Sequence, residues 1–266
     1  MTNATAAAAD YTTVTETPGI GATREQLTML YTRYRYAASF CAGKTVLEVA
    51  CGAGQGLGYL AQSAKAVVGG DIDQGNLEFA TRVYKGRDNI ELKKIDAHQM
   101  PFEDKSFDVL LLYEALYYLE DPDRFFRECR RLLCPGGLLL ICTVNREWSD
   151  FNPSPFSHRY FSAKELSESL AGYGFAVETL AAFPVRRETA KDRVVSLVKR
   201  TAVRLHLMPK TMRGKQFLKR IFLGKLSPLP SEIKDGMAEY RPPVPVDTCG
   251  AVDGFKVLFV KATLPG

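Results

Sequence analysis

Short apolar runs recur along the first half of the chain and are separated by stretches of more mixed polarity. The runs are rich in Val, Leu and Ile and fall at 45–50, 66–70, 90–95, 107–113 and 138–144. Runs of this length are typical of strands that are buried on both faces. Helix-length stretches separate them, so the pattern predicts an α/β fold with a parallel sheet.

Helix-like spacing of apolar residues lies between these runs and on either side of them. Such spacing occurs at 24–39, 57–63, 74–85, 121–133 and 162–171. The fourth helix is predicted to start at Asp121-Pro122, a capping residue followed by proline at the first helical position. Ser162 and Glu165 form a capping-box pattern at the start of the fifth.

Two further strands, at 174–182 and 254–262, enclose a segment of different composition. We predict a disordered tail over 1–18, a main domain formed by 19–182 and 253–266, and an insertion over 183–252. The stretch 186–225 holds thirteen Lys and Arg residues against two acids. Basic amphipathic helices are predicted within it at 193–208 and 213–226.

Composition excludes several classes of protein. No run approaches the about 20 apolar residues of a membrane span, and the N-terminus has neither a basic start nor a long apolar stretch, so we expect a cytoplasmic protein. The six cysteines form no CxxC pair and have no histidine at metal-ligand spacing. We therefore expect neither a disulfide framework nor a metal site.

The first predicted strand runs into a turn that holds four glycines, in the sequence VLEVACGAGQGLG at 46–58. Gly52 and Gly54 stand where bare backbone at a helix N-terminus can approach a ligand. The match to a dinucleotide fingerprint is weak by itself. Glu48, aimed at the same turn, would repel a pyrophosphate and attract an ammonium group, so a ligand with an amine is favoured.

Acids also follow the next two strands. Asp71 stands about twenty residues after the glycine turn, where a carboxylate can accept hydrogen bonds from both ribose hydroxyls of a nucleoside. Asp96 ends the third strand and can accept from an exocyclic amine such as that of adenine, with the backbone of Ala97 as a further contact.

Together these residues resemble the class I S-adenosylmethionine-dependent methyltransferases that act on small molecules. VLEVACGAGQG, GGDID and the stretch from Asp96 to Ile141 carry the resemblance, which covers about 30–182 and the final strand. It implies a Rossmann-like seven-stranded sheet with helices on both faces, and S-adenosyl-L-methionine as the cofactor.

The resemblance also implies a role for each matching position. Glu48, Gly52 and Gly54 would hold the methionine part, Asp71 the ribose, Ile72 an adenine face, and Asp96 with Ala97 the adenine edge. Tyr113 would lie beneath the sulfonium, and Arg33 or Tyr34 would cover the amino-acid end.

Related enzymes often carry a histidine in an E-x-L-E-H pattern after the fourth strand. The corresponding residue here is Tyr118, so the usual base is absent. His158 stands in an aromatic and polar loop after the fifth strand, where such enzymes contact substrate. We predict that Tyr117, Tyr118, Trp148 and His158 line the acceptor pocket, with His158 either a base or part of a structural turn.

The leading hypothesis is methyl transfer to O or N of a small molecule such as a secondary metabolite, a sugar or a lipid-linked saccharide. The basic stretch 186–225 would be a pocket lid, or would contact a membrane surface and make the protein peripheral. RNA methylation and a non-catalytic cofactor-binding subunit are the alternatives. No N/D-P-P-[YF] motif follows the fourth strand, and no RNA-binding module accompanies the basic stretch, so nucleic acid is disfavoured.

Overall fold

A computed structural model of the protein describes residues 16–154, 156–185 and 226–266. In chain order the elements are β1 (Gly21–Ala22), α1 (Arg24–Ala38), β2 (Thr45–Val49), α2 (Leu57–Leu60), β3 (Ala66–Asp71), α3 (Gln74–Val83), β4 (Ile90–Lys94), β5 (Phe107–Tyr113), a 3-10 turn (Leu116–Tyr118), α4 (Pro122–Leu132), β6 (Leu133–Val144), α5 (Ala163–Gly172), β7 (Ala176–Pro184), β8 (Ser227–Pro228), β9 (Val244–Pro245) and β10 (Phe255–Thr263).

The main sheet confirms the predicted α/β fold. Its strand order is β4-β3-β2-β5-β6-β10-β7-β9, parallel from β4 to β6 and antiparallel beyond. The seven predicted strands lie side by side, and the two-residue β9 adds an eighth at the edge. β6 begins at Leu133, earlier than predicted, because the chain leaves α4 directly into extended backbone.

Helices cover both faces of this sheet. On one face α1, α2 and α3 pack through buried residues such as Leu57 and Leu77. On the other, Phe125 and Phe126 of α4 and Leu166 of α5 are fully buried against the opposite side chains of the same strands. Because burial on both faces leaves the strand ends as the accessible part of the sheet, polar strand-end residues gather at one edge.

The strand order reverses between β2 and β5, where open α/β sheets bind ligands. Each of these strands is followed by a non-glycine residue with left-handed backbone, Ala50 at φ 56° and Glu114 at φ 53°. Such conformations are costly and cluster at functional sites. The backbone after each of these two strands therefore turns sharply away from the sheet at the same point, and a crevice lies between the two strand ends.

Part of the predicted insertion packs on the main domain. Leu229 and Ile233 are buried against α1 and α2, and Asp235 accepts hydrogen bonds from Tyr31 (2.7 Å) and Tyr59 (2.9 Å). β8 also pairs with β1, whereas β9 pairs with β7 at the edge of the main sheet.

The other predictions for the termini and the insertion concern residues that the structure does not describe. The stretch 186–225, with nearly all of both predicted basic helices, lies outside the described residues, as do residues 1–15 of the predicted tail. Within the described part of the chain, no helix is long and apolar enough to cross a membrane.

Candidate functional site

A cavity of about 800 Å³ opens at the carboxyl ends of β2, β3, β5 and β6. α1 forms one wall, and the loop after β6 forms another. Every site residue predicted from the sequence lines this cavity except Gly54. The fold therefore brings together strand ends that lie far apart in the sequence.

Two glycines of the turn after β2 are explained by packing within the protein. At Gly54, φ is 76°, and a side-chain carbon would lie 3.0 Å from Cβ of Ala80 and 3.2 Å from the ring of Tyr84. At Gly56 it would overlap the ring of Tyr34. Bare backbone at these two positions admits neighbouring side chains, whereas Gly52 lines the cavity.

Glu48 is buried at the end of β2, with 1% of its surface exposed. Tyr34 donates a hydrogen bond to its Oε1 at 2.5 Å, and Oε2 has no hydrogen-bond partner among the described residues. Burial raises the pKa of Glu48 to about 8, against the opposing effects of Tyr34 and Arg33. A buried carboxylate oxygen without a partner suits a cationic hydrogen-bond donor.

Asp71 fixes the glycine turn against β3. Its two carboxylate oxygens accept backbone N–H groups of Gly52 at 2.7 Å and Asp73 at 2.8 Å. Each oxygen can accept more than one hydrogen bond, so Asp71 retains acceptor capacity. Ile72 follows with 52% of its surface exposed, which places an apolar side chain beside the carboxylate at the cavity wall.

Asp96 is held by His98, the residue that follows Ala97. Oδ1 of Asp96 accepts the backbone N–H of His98 at 2.9 Å and lies 2.7 Å from Nδ1 of that ring. Nε2 of His98 accepts the N–H of Asp121 at 3.2 Å, so the proton of a neutral ring is on Nδ1. Burial raises the pKa of Asp96, but the hydrogen bonds from His98 outweigh it and hold that pKa below its ordinary value.

The predicted acceptor residues form an aromatic wall. Tyr117 stacks on Tyr160 with ring centres 4.7 Å apart, and the Tyr118 hydroxyl is 2.6 Å from Oγ of Ser154. The N–H of His158 donates to the Tyr117 carbonyl at 2.8 Å. These contacts fold the loop after β6 onto the 3-10 turn, and Trp148 lines the cavity from the start of the same loop.

Two charged residues that line the cavity, Glu114 and Glu16, are additions to the predicted set. Glu114, the residue after β5, accepts a hydrogen bond from the Tyr117 hydroxyl at 3.2 Å, and Sγ of Cys142 lies 3.8 Å from its other oxygen. Burial raises the pKa of Glu114, while nearby Arg33 lowers it. Glu114 was identifiable by the strand-end rule that singles out Asp71 and Asp96. Glu16, which pairs with buried Arg33 at 2.9 Å, carries no such signal.

Tyr113 separates the two groups of residues at the end of β5. Its ring lies edge-on to Tyr34, with centres 5.7 Å apart. Its hydroxyl is buried, and the described residues supply it with no hydrogen-bond partner. Tyr113 therefore places a polar atom at the junction between the strand-end acids and the aromatic wall.

The sequence of this region matches a known family. A family model described as "Methyltransferase domain" matches residues 47–141, which run from β2 to β6. These residues form a class I S-adenosylmethionine-dependent methyltransferase domain. S-adenosyl-L-methionine is the cofactor that this family and fold imply.

Relatives of the methyltransferase domain support the match. A probable S-adenosylmethionine-dependent methyltransferase of Mycolicibacterium smegmatis is 35% identical over 56% of this chain and 59% of its own length. A demethylmenaquinone methyltransferase of Clavibacter sepedonicus is 31% identical over 54% of this chain and 60% of its own. The chain thus spans little more than half of these relatives.

A solved structure supports the fold alone. A methyltransferase of Thermotoga maritima, described as a possible histamine N-methyltransferase, superposes with a TM-score of 0.57 at 17% identity. The match covers 90% of this chain and 91% of that protein.

Proposed function

We propose that this protein transfers a methyl group from S-adenosyl-L-methionine to an oxygen or nitrogen of a small molecule. The observation that carries the proposal is one continuous cavity with two chemically different halves. Strand-end acids line one half, and aromatic side chains line the other. A cavity of about 800 Å³ is within the usual range for small-molecule sites.

The acidic half suits the methionine part of the cofactor. Glu48 offers Oε2, which none of the described residues engages in a hydrogen bond, to the ammonium group, and Tyr34 holds that carboxyl in place while covering the same end. Gly52 presents backbone beside it, and Tyr113 lies next to Tyr34, where we place the sulfonium.

The nucleoside part suits the ends of β3 and β4. Asp71 would accept from the ribose hydroxyls in addition to the backbone N–H groups that orient it. Ile72 would cover one face of the adenine, since its exposed side chain follows Asp71 directly. Asp96 and Ala97 would contact the adenine edge.

The chemistry needs little from the protein beyond alignment. Bound S-adenosylmethionine supplies an electrophilic methyl group with a neutral thioether as leaving group. The chain's own part is to hold the acceptor in line and to exclude water. Tyr117, Tyr118 and Trp148 form the apolar surface for this purpose, and His158, exposed on the loop, would contact the acceptor as it enters.

The names of relatives agree with a small organic acceptor. The Clavibacter sepedonicus protein is named a demethylmenaquinone methyltransferase, which places a small molecule as the acceptor of one relative. A cytoplasmic location and membrane-surface contact through 186–225 belong to the proposal as well. The stretch carries thirteen Lys and Arg residues, and such a charge excess attracts anionic lipid.

Transfer of labelled methyl into an extract of the source cells tests the proposal. The extract is separated into aqueous metabolites, lipids and RNA after incubation with the full chain and labelled S-adenosylmethionine. We expect label among the metabolites or the lipids, and lipid label would support membrane contact. Label confined to RNA would replace the proposal with RNA methylation, and no label beyond that of the Asp71→Ala control would leave a non-catalytic binding protein.

A further inference from the structure

The carboxyl group of Glu114 is built into the acceptor half of the cavity. Its backbone N–H donates to the carbonyl of Cys142 at 2.8 Å, so the pairing of β5 with β6 continues through this residue. The left-handed φ of 53° then directs the chain away from the sheet. Glu114 lines the cavity one residue beyond Tyr113, beside the position that we assign to the sulfonium.

The partners of this carboxyl are neutral donors. The Tyr117 hydroxyl lies 3.2 Å from Oε2, and the Cys142 thiol lies 3.8 Å from Oε1. A carboxylate has about four acceptor positions, so two remain after these contacts. Arg33 is the nearby cation, and it already forms an ion pair with Glu16 at 2.9 Å. The carboxylate is therefore oriented by its neighbours and still able to accept a proton.

The two other candidate groups are less suited to that task. The Tyr118 hydroxyl is engaged with Oγ of Ser154 at 2.6 Å. His158 is exposed on the loop and is anchored through its backbone. Glu114 lies deeper, between Tyr113 and the aromatic wall.

We propose that Glu114 is the catalytic residue that takes the proton from the acceptor's O–H or N–H. This inference rests on the proposed function. The acceptor lone pair forms the new bond to the methyl carbon, and the electrons of the broken sulfur–carbon bond stay on sulfur. The acceptor's proton moves to Glu114, whose carboxylic acid later returns it to water.

The same carboxylate selects the acceptor by charge. Two ion pairs line this half, Arg33 with Glu16 at 2.9 Å and Lys256 with Glu25 at 2.8 Å, and the exposed Glu120 lies at its rim. Glu114 lines the cavity directly after Tyr113, beside the position assigned to the sulfonium, so an acceptor that is neutral or cationic at its reacting end is favoured, and one that carries a carboxylate or phosphate there is repelled.

Glu114→Gln tests the proton transfer, because it keeps the shape of the side chain and removes the basic oxygen. The acceptor is the molecule purified from the extract fraction that the native protein labels, and its product shows whether O or N receives the methyl group. We expect kcat to fall by about 100- to 10,000-fold, the usual contribution of a general base. Affinity for S-adenosylhomocysteine should change less than about threefold.

The Tyr117→Phe variant supplies a second readout. The groups that face Glu114 are Arg33, Glu16, the Tyr117 and Tyr118 phenols and the Cys142 thiol, and the Tyr117 hydrogen bond lowers the pKa of Glu114. Removal of this hydrogen bond should raise the pKa of Glu114. The decrease of kcat/KM at low pH, the acidic limb of the pH profile, should therefore begin at a higher pH. Infrared difference spectra between the native protein and Glu114→Gln should show a carboxyl group that titrates together with that limb.

Normal turnover and an unchanged pH profile in Glu114→Gln would overturn the inference and leave the proposed function intact. If the acidic limb of kcat/KM disappears in His158→Ala and persists in Glu114→Gln, His158 and not Glu114 is the residue that accepts the proton. If the native protein labels no fraction, the proposed function fails and this inference fails with it. Loss of turnover in Glu114→Gln with S-adenosylhomocysteine binding retained supports it.

Discussion

The two halves of the cavity are built in different ways. In the cofactor half, acids lie at or just beyond the ends of three consecutive strands, and the backbone N–H groups of Gly52, Asp73 and His98 orient Asp71 and Asp96. In the acceptor half, Glu16, Arg33, Glu114 and Lys256 come from distant parts of the chain, and side chains orient one another. A cofactor of constant shape can be served by local motifs, whereas acceptor recognition depends on contacts that can vary between relatives.

The largest effect is expected at Gly56, which lies against the ring of Tyr34 in the cofactor half. In Gly56→Ala the new methyl group would lie 1.8 Å from a carbon of that ring, so we expect a cost at or above the upper end of the about 1–3 kcal/mol that is typical of overpacking. We expect a lower free energy of unfolding in urea and a weakened site for S-adenosylhomocysteine. Gly172→Ala, where no atom lies within 4 Å, is the matched control. Equal stability of both variants would contradict the close approach of Tyr34.

Asp71→Ala tests the cofactor half by itself. Loss of a hydrogen bond to a charged group costs about 1.5–3 kcal/mol, or about 10- to 150-fold in affinity. Calorimetric titration with S-adenosylhomocysteine measures this, and Asp88→Ala, an exposed acid beyond α3, is the control. Unchanged affinity in Asp71→Ala would remove the ribose assignment.

The pair formed by Glu48 and Tyr34 predicts a pH dependence of cofactor binding. Because the pKa of Glu48 is about 8, the carboxyl is protonated in the free protein below that pH, while an ammonium group needs the ionised form. Affinity for S-adenosylhomocysteine should fall as pH decreases below about 8, approaching about tenfold per unit. The calorimetric titrations should release protons in this range.

Tyr34→Phe sharpens this prediction. Tyr34 lowers the pKa of Glu48, so its loss should move the midpoint to higher pH and weaken binding several-fold. Tyr31→Phe is the matched control on the same helix, since Tyr31 donates to Asp235. An equal shift in both variants would exclude a specific role for Tyr34.

Glu48 should also make folding stability depend on pH. The unfolded chain loses this proton near pH 4.5 and the folded protein near 8, so the free energy of unfolding decreases as pH rises between these values. Glu48→Gln should lose that slope, as measured by urea titrations across the range, and should lose cofactor affinity too. A native slope retained in Glu48→Gln would show that other groups cause it.

His158→Ala and Tyr118→Phe test the acceptor half by itself. We expect the acceptor KM to rise about three- to tenfold, since each change removes one contact worth about 1 kcal/mol. Affinity for S-adenosylhomocysteine should stay at the native value. Steady-state kinetics with unchanged KM and kcat in both variants would remove these residues from the acceptor pocket.

The smallest effect is expected at Ile72. Ile72→Ala removes apolar contact with the adenine face and should weaken S-adenosylhomocysteine binding about fivefold, or about 1 kcal/mol. Its side chain is 52% exposed, so the melting temperature of the free protein should hardly change. A large drop in melting temperature would show that Ile72 belongs to the core.

The sequence by itself determined the fold and most of the cofactor half. Apolar runs and capping signals depend on neighbours in the chain, so β2 to β6 and the helices between them were predictable, although α2 ends at Leu60, earlier than the spacing indicated. Glu48, Asp71 and Asp96 were identifiable because each lies near the end of a strand, and parallel strands end at one edge.

Only the tertiary structure decided which charged side chains pair in the acceptor half and why Gly54 and Gly56 have no room for a side chain. The pairing of Arg33 with Glu16 and of Lys256 with Glu25 joins segments that no periodicity relates. The Tyr34 ring from α1 occupies the space beside Gly56, and the Tyr117 hydroxyl and Cys142 thiol fix the orientation of the Glu114 carboxyl. Local patterns set which residues reach a strand end, but which side chains meet there depends on packing between distant elements.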